Sequence, residues 1–353
     1  MLRAAGIPEL TAAMSETDSG SDGIVLLAKR PGMTSFASLY DVKKALGTSK
    51  VGHTGTLDSF ASGLLVVCAG RLTRLAARIT EFGKTYTAAV RFGEETDTLE
   101  YTGKTIRAAP LPSAAALESA VLRFTGDIMQ SPPAFSAVHV GGRRASDAAR
   151  AGVHVEIPPR KVTVYSAGIK SLVMTADGFV SAAEICFSVS KGTYIRCLAR
   201  DIAASCGSAA HLAGLCRTAV GNFELRDAAG YSLMPPFSLE NSLAAADAFR
   251  AGKNPFPAAG DDFSVEIRRQ IAEGLRGFSP GLSSECGFVN LTLSGADALS
   301  KFRRGMPLVR GLFSFFPDVP AGTLCSVFSP PGEFAGLIET MDGRRPVYKF
   351  VMN

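Results

Sequence analysis

No apolar run long enough to cross a bilayer, about 18 residues, occurs anywhere in the chain, which argues against a membrane span. A basic segment followed by an apolar stretch is also missing from the N-terminus, so nothing there reads as a secretory signal. Cysteines number seven, an odd count with no CxxC pair, and the four histidines (His53, His139, His154, His211) do not fall at zinc-finger spacing beside them. Cys68 in Val66-Val67-Cys68-Ala69 and Cys186 in Glu184-Ile185-Cys186-Phe187 read as small buried hydrophobes, which suits a reducing compartment, the cytoplasm, and predicts neither disulfides nor a metal. Charge of one sign is scarce too. The formal net charge is +5. The first 22 residues set Arg3 against Glu9, Glu16, Asp18 and Asp22, and read as a flexible acidic leader. A mild basic excess in the remainder permits a polyanionic partner without demanding one.

What is present is ordinary globular material: 46% hydrophobic and 20% charged over 353 residues. That length suggests roughly two domains. Gly23 to Arg30 is an apolar run stopped by Pro31-Gly32, a strand and turn. Phe36, Leu39, Val42, Lys43 and Leu46 recur at helical spacing behind Thr34 or Ser35 as N-cap, with Gly47 to end the helix. Further strands are predicted at Gly63–Ala69, Lys84–Phe92, 161–170, 179–190 and 218–225. Helices are predicted at Leu72–Ile79, Ser113–Phe124 and Tyr194–Ala204. Gly93 to Asp97 reads as a charged turn, and 130–160 as an extended arm rich in Pro, Gly and Arg. Strands and helices mix without βαβ alternation, so the class is α+β with a mixed, mostly antiparallel sheet. Prolines at 235, 236, 255 and 257 mark a linker, taken as 231–292. Beyond it, 293–353 reads as a small β-rich domain with turns at Pro330-Pro331-Gly332 and Asp342-Gly343.

Three short stretches could carry chemistry. Gly52-His53-Thr54-Gly55-Thr56-Leu57-Asp58 sets an acid at the end of a glycine-flanked loop, which suits a carboxylate on a cleft floor. On residue type and spacing alone, Asp58 reads more readily as a cap on the segment that follows, since capping by Asp is common. Lys84-Thr85-Tyr86 offers a flat ring for a base, or simply a core tyrosine. Ser190-Lys191-Gly192-Thr193-Tyr194-Ile195-Arg196 offers cations for a phosphate or a carboxylate, or a solvated turn.

In this order and spacing, with Ala61-Ser62-Gly63-Leu64-Leu65, Gly126-Asp127-Ile128, Gln130, Pro132-Pro133, Ser136-Ala137, Leu215 and Arg217, the chain resembles the TruB family of pseudouridine synthases over about 23–230. Arg304-Gly305-Met306-Pro307-Leu308 and Phe334-Ala335-Gly336-Leu337 resemble a PUA-type RNA-binding module. The resemblance implies a pseudouridine synthase core over 23–230 and isomerisation of a tRNA T-loop uridine (position 55 of the tRNA) after base flipping. It implies Asp58 as nucleophile, Arg196 as its ion-pair partner and Tyr86 stacked on the uracil, with Tyr194 and Leu215 lining the pocket. His53 would fill the space left by the flipped base. Lys84 and Lys191, with Arg143, Arg144 and Arg150 on the arm, would meet the RNA. It also implies a monomer acting on the T-stem and loop with no cofactor, metal, membrane or protein partner.

Departures from the family pattern fall mostly on the arm. Ser59 follows the catalytic acid where the family has Pro, which removes a ring constraint from the loop. Phe135-Ser136-Ala137-Val138-His139 replaces Tyr-Ser-Ala-x-Lys, Ala145-Ser146 replaces Leu-Tyr, and Leu215-Cys216-Arg217 replaces Leu-Arg-Arg. These bear on RNA clamping more than on chemistry. Two neighbouring readings share the core motifs: a tRNA-remodelling protein in which binding dominates, and a guide-RNA-directed relative. Asp58, Tyr86 and Arg196 together argue against the first, and the arm argues against the second.

Overall fold

The computed structural model describes residues 21–136, 157–256 and 260–352, together with 147, 151 and, for the backbone alone, 139–140 and 143–144. Most of the leader, most of the arm and Arg150 lie outside the described residues.

In chain order the strands of the first unit are β1 (Gly23–Lys29), β2 (Val51–His53), β3 (Ser62–Ala69), β4 (Lys84–Phe92), β5 (Glu94–Thr96), β6 (Thr105–Ala108), β7 (Gly126–Gln130), β8 (His139–Val140), β9 (Arg143–Arg144), β10 (Arg160–Met174), β11 (Val180–Val189), β12 (Ala210–Val220) and β13 (Phe223–Glu224). The second unit holds β14 (Val289–Thr292), β15 (Leu324–Phe328), β16 (Phe334–Met341) and β17 (Arg344–Val351). The helices are α1 (Leu39–Leu46), α2 (Ala76–Ile79), α3 (Ala114–Arg123), α4 (Ile195–Ser205), α5 (Leu239–Arg250), α6 (Asp261–Glu273), α7 (Pro280–Glu285) and α8 (Ala296–Arg303).

The main sheet runs β1-β3-β12-β4-β11-β10-β7, with β2 beside β3 and β13 beside β12. Its pairings are antiparallel except β3 with β12, which is parallel. The fold is therefore α+β and mostly antiparallel, as the sequence predicts. The parallel joint brings Gly63 of β3 opposite Arg217 of β12. Gly63 sits at φ 115, and a Cβ there would come within 2.3 Å of the Arg217 carbonyl oxygen. Only glycine lets these two strands approach so closely.

Several elements differ from the sequence reading, each for a physical reason. Strand β12 runs Ala210–Val220 rather than 218–225. It is buried at successive residues, and so on both faces, from Ala210 to Arg217, and shows a mostly small and apolar run instead of alternation. Residues Glu94–Thr96 are a strand rather than a turn, because β6 pairs with them and Arg107 forms an ion pair with Glu95 at 2.9 Å. Helix α1 begins at Leu39, not Ser35. The Thr34 hydroxyl does accept from the Ala37 N–H at 3.1 Å, but Ser35 is buried and bonded to the loop ahead of Asp58. Gly47 ends α1 in the left-handed region, at φ 63. Residues 72–79, predicted as one helix, begin as a 3-10 turn, Gly70–Leu75, that becomes α-helical at Ala76.

The proline-marked stretch 231–292 is largely helical. Its prolines at 235, 236 and 255 flank α5 rather than interrupt it, and α5 packs on the strands of the main sheet through Leu239 and Ala246. Ile267 and Ile271 of α6 join Leu39 and Val42 of α1 in one cluster. The C-terminal strands β14-β15-β16-β17 form a second sheet. Phe278, Phe288, Phe328 and Phe334 from this end of the chain share a core with Ile24, Leu64 and Phe223. The Phe278 and Phe334 rings lie 4.4 Å apart between centroids. Burying each such ring contributes about 1.5–3 kcal/mol, so this seam is a substantial part of the fold. The described cysteines are all free, and burial pushes the Cys68 thiol up to about 12, where it is chemically quiet.

Candidate functional site: an aspartate-arginine pair

Asp58 lies on the loop between β2 and β3. A turn and a strand follow it, not a helix, so it has no helix to cap. Its carboxylate turns instead to Arg196, the second residue of α4. Arg196 Nη2 donates to Oδ1 at 3.0 Å, while Nε stands 3.0 Å from Oδ2 as an ion-pair contact off the hydrogen-bonding line. The arginine is buried, with 4% of its side chain exposed against 35% for Asp58. The cation is thus fixed inside the protein and the carboxylate is partly exposed. Arg196 is held by two carbonyls besides: Nη1 donates to Thr98 O at 2.9 Å and Nη2 to Phe135 O at 3.1 Å. A planar fork with several fixed acceptors cannot be replaced by a point charge.

The loop itself is held from below. Arg217, fully buried in β12, donates to Leu64 O at 2.8 Å, Gly55 O at 3.0 Å and Thr56 O at 3.4 Å. The Ser35 hydroxyl accepts from the Leu57 N–H at 2.8 Å and lies 3.1 Å from Leu57 O. Lys29, 1% exposed at the end of β1, donates to Met33 O at 2.6 Å, Arg30 O at 2.9 Å and Ser59 O at 3.3 Å. Burial pulls its ammonium down to about 7, against the pull of the Asp58 carboxylate. The Ser59 carbonyl also accepts from the Gly32 N–H at 2.8 Å, so the position where the family carries proline is tied down by hydrogen bonds.

Tyr86 is buried on β4, opposite Phe187 of β11 and Arg217 of β12. Leu215, 5% exposed on β12, stands opposite Ala88. Tyr194 caps the start of α4. Its backbone is gripped by the buried Gln130, which donates to Tyr194 O at 3.1 Å and accepts from its N–H at 2.8 Å, and Arg160 lies 5.1 Å over its ring. His53 is half-buried at the end of β2. Its Nδ1 accepts from the Gly55 N–H at 3.4 Å, and burial lowers its pKa, which favours the neutral ring.

The two lysines take different places. Lys84 is 7% exposed and gives its ammonium to Thr80 O and Phe82 O, both at 2.6 Å, closing the end of α2. Burial lowers it to about 8. Lys191 is exposed and ion-paired with Glu81. Arg143 and Arg144 form the short strand β9 against β8, with their side chains outside the described residues, as is Arg150.

Sequence reasoning passed over Lys29, Ser35, Glu100 and Gln130 as site residues, and gave Arg217 no role. A usable signal existed for two of them: Lys29 ends an otherwise apolar seven-residue strand, and Arg217 follows an apolar run in β12, where a cation needs buried partners. Glu100 carried no signal. It follows Leu99, which has φ 60, a left-handed conformation unusual for leucine. The turn is stapled to β12 by Leu212 N to Leu99 O at 3.0 Å and Tyr101 N to Leu212 O at 2.9 Å. Strain held this way aims Thr98 O at Arg196. Burial raises the Glu100 carboxyl to about 7, a rise limited by the Thr102 hydroxyl and Arg196 and increased by Asp58.

That shift has a measurable consequence. Between 4.5 and about 7 the unfolded chain gives up the Glu100 proton while the folded protein keeps it, so stability falls as pH rises through that window and levels off above it. Thermal melts of the native protein and Glu100→Gln, run from pH 5 to 8, are expected to diverge, the native protein losing several degrees relative to the variant (a shift of order 1 kcal/mol or more). A pH-independent difference would remove Glu100 as a buried titrating group.

The fold and the pair can be set beside known proteins. A structure of an H/ACA RNP bound to a substrate RNA containing 2'-deoxyuridine aligns over 96% of this chain and 86% of its own, with TM-score 0.61 and 18% identity. A Cbf5-Nop10-Gar1 complex aligns over 95% and 85%, with TM-score 0.60 and 20% identity. At these identities the likeness is one of fold, and it extends through the C-terminal sheet, consistent with a PUA-like unit. In sequence, the family model described as TruB family pseudouridylate synthase (N terminal domain) matches residues 43–195. The tRNA pseudouridine synthase B of Treponema pallidum is 36% identical over 351 residues, covering 90% of this chain and 94% of that protein. The protein of the same name from Treponema denticola is 47% identical over 229 residues, 61% of this chain and 64% of the relative. The chain belongs to the TruB family of pseudouridine synthases.

Proposed function

We propose that this chain converts uridine to pseudouridine in tRNA, at the T-loop uridine, position 55. The observation that carries the reading is the Asp58 carboxylate, open to the surface yet fixed by a buried arginine, in a chain that aligns along 90% of its length with a tRNA pseudouridine synthase B. The reaction breaks the N1–C1′ bond, turns the uracil and joins C5 to C1′. C5 loses a proton and N1 gains one, so the sum is an isomerisation with no net redox change and no need of a cofactor. Asp58 supplies the covalent partner for the intermediate, and Arg196 holds it in place and aimed. Tyr86 stacks on the uracil, with Tyr194 and Leu215 as walls, and His53, neutral, fills the gap left in the RNA stack. The enzyme acts as a monomer in the cytoplasm, a compartment that suits its free thiols.

The direct test is an unmodified tRNA transcript incubated with purified protein and no added metal, then digested for mass spectrometry. Pseudouridine at position 55 is the expected product, and its absence there would reject the reading. Binding to the same tRNA is expected to be salt-sensitive, weakening by about 10-fold or more between low and physiological salt as cations on the protein release counterions from the RNA. A flat salt response would argue against phosphate clamping.

A further inference from the structure

Phe36 and Tyr40 are 72% and 57% exposed, while their neighbours Leu39 and Val42 are buried. Leu39 and Val42 bury the inner face of α1. The helix is therefore held without the two rings. They stand four residues apart, Phe36 in the turn before α1 and Tyr40 in its first turn. Each carries a cation: Lys43 Nζ is 5.2 Å from the Phe36 centroid and Lys44 Nζ 5.7 Å from that of Tyr40. From α6, the Arg268 guanidinium lies 5.6 Å from Tyr40 while paired with Asp41 at 2.8 Å. The patch is joined to the site already described. Ser35, next to Phe36, holds Leu57, next to Asp58.

We propose that the Phe36–Tyr40–Lys43–Lys44 face is a second RNA-docking surface, on which an unpaired nucleotide of the bound tRNA stacks its base against the rings and sets its phosphates on the lysines. The inference rests on the tRNA reading above. Aromatic rings interleaved with cations are the chemistry of single-stranded nucleic-acid binding: stacking tolerates any base, and the ammonium groups answer the backbone charge. A protein partner would want an apolar centre with charge kept to the rim. Here Phe36 has Lys43 beside it and Tyr40 has Lys44 and Arg268, which favours RNA. The link through Ser35 and Leu57 means that a nucleotide seated on this face bears on the loop that presents Asp58.

The experiment measures the affinity of full-length tRNA transcript for the native protein, Phe36→Ala/Tyr40→Ala and Lys43→Ala/Lys44→Ala across a salt series. Thermal melts confirm folding, and none of the four side chains is buried. The aromatic pair is expected to weaken binding about tenfold with the log–log salt slope unchanged, since stacking releases no counterions. The lysine pair is expected to weaken binding and make the slope shallower by about 1.4, two single-stranded phosphate contacts at about 0.7 each. Both variants binding within twofold of the native protein, with its slope, would overturn the proposal and leave the face to solvent or a protein partner. A native protein that binds no tRNA at all would bring down the functional reading as well. Native binding with unaffected variants would bring down this inference alone.

Discussion

Asp58→Asn is expected to abolish pseudouridine formation, by a factor on the order of 10⁴ or more, while tRNA still binds. The substitution keeps the shape of the side chain and one oxygen to accept from Arg196 Nη2. It removes the charge and the nucleophile. The backbone of the loop does not rest on that charge, because other groups hold it: Gly55 O and Thr56 O by Arg217, Leu57 by Ser35, and Ser59 O by Lys29. Binding and chemistry should therefore separate cleanly. Single-turnover assays with enzyme in excess give the rate, and filter binding gives the affinity. Activity within tenfold of the native enzyme would remove Asp58 as nucleophile.

Arg196→Lys is the second large effect, a loss on the order of 10²- to 10³-fold in turnover with tRNA affinity little changed. The ammonium preserves charge but has no fork. It cannot meet Asp58, Thr98 O and Phe135 O together, so either the carboxylate loses its aim or a buried carbonyl loses its partner. Arg196→Met goes further and is expected to lower the melting temperature as well, because no donor then remains for those carbonyls. The decisive reading is the split between binding and rate for the lysine variant. A rate within threefold of native would mean that Arg196 acts only as a nearby positive charge.

Much of this site is legible in the order of the residues. The glycine-flanked loop ending in Asp58, the Lys84-Thr85-Tyr86 strand and the Tyr194-Ile195-Arg196 turn each have a bland reading, and only their order and spacing together point to one chemistry. Several elements are legible as well: β4 and α3 keep a regular pattern of buried and less buried residues, and β1 is an apolar run closed by Pro31-Gly32. Strand β12, displaced from its predicted place, shows where that logic fails. A strand covered on both sides has no alternation to read. The stretch 231–292 fails for a different reason, since its prolines mark helix boundaries as readily as a linker.

Lys84 marks the border between sequence and fold. By sequence it is a cation two residues before Tyr86, and the resemblance sets it against the RNA. In the fold its ammonium is committed to Thr80 O and Phe82 O, and nothing in its neighbours along the chain announces that. Asp58, its loop and the identity of its arginine partner were legible in the sequence through the family resemblance that the three stretches carry together, while each stretch alone left a bland reading open. What only the tertiary structure decided is how the loop is made rigid: Arg217 from β12, Lys29 from β1 and Ser35 from the turn before α1 reach it across the sheet. Such contacts depend on strand order and on the parallel joint at Gly63, and long-range pairing of that kind leaves no local pattern along the chain.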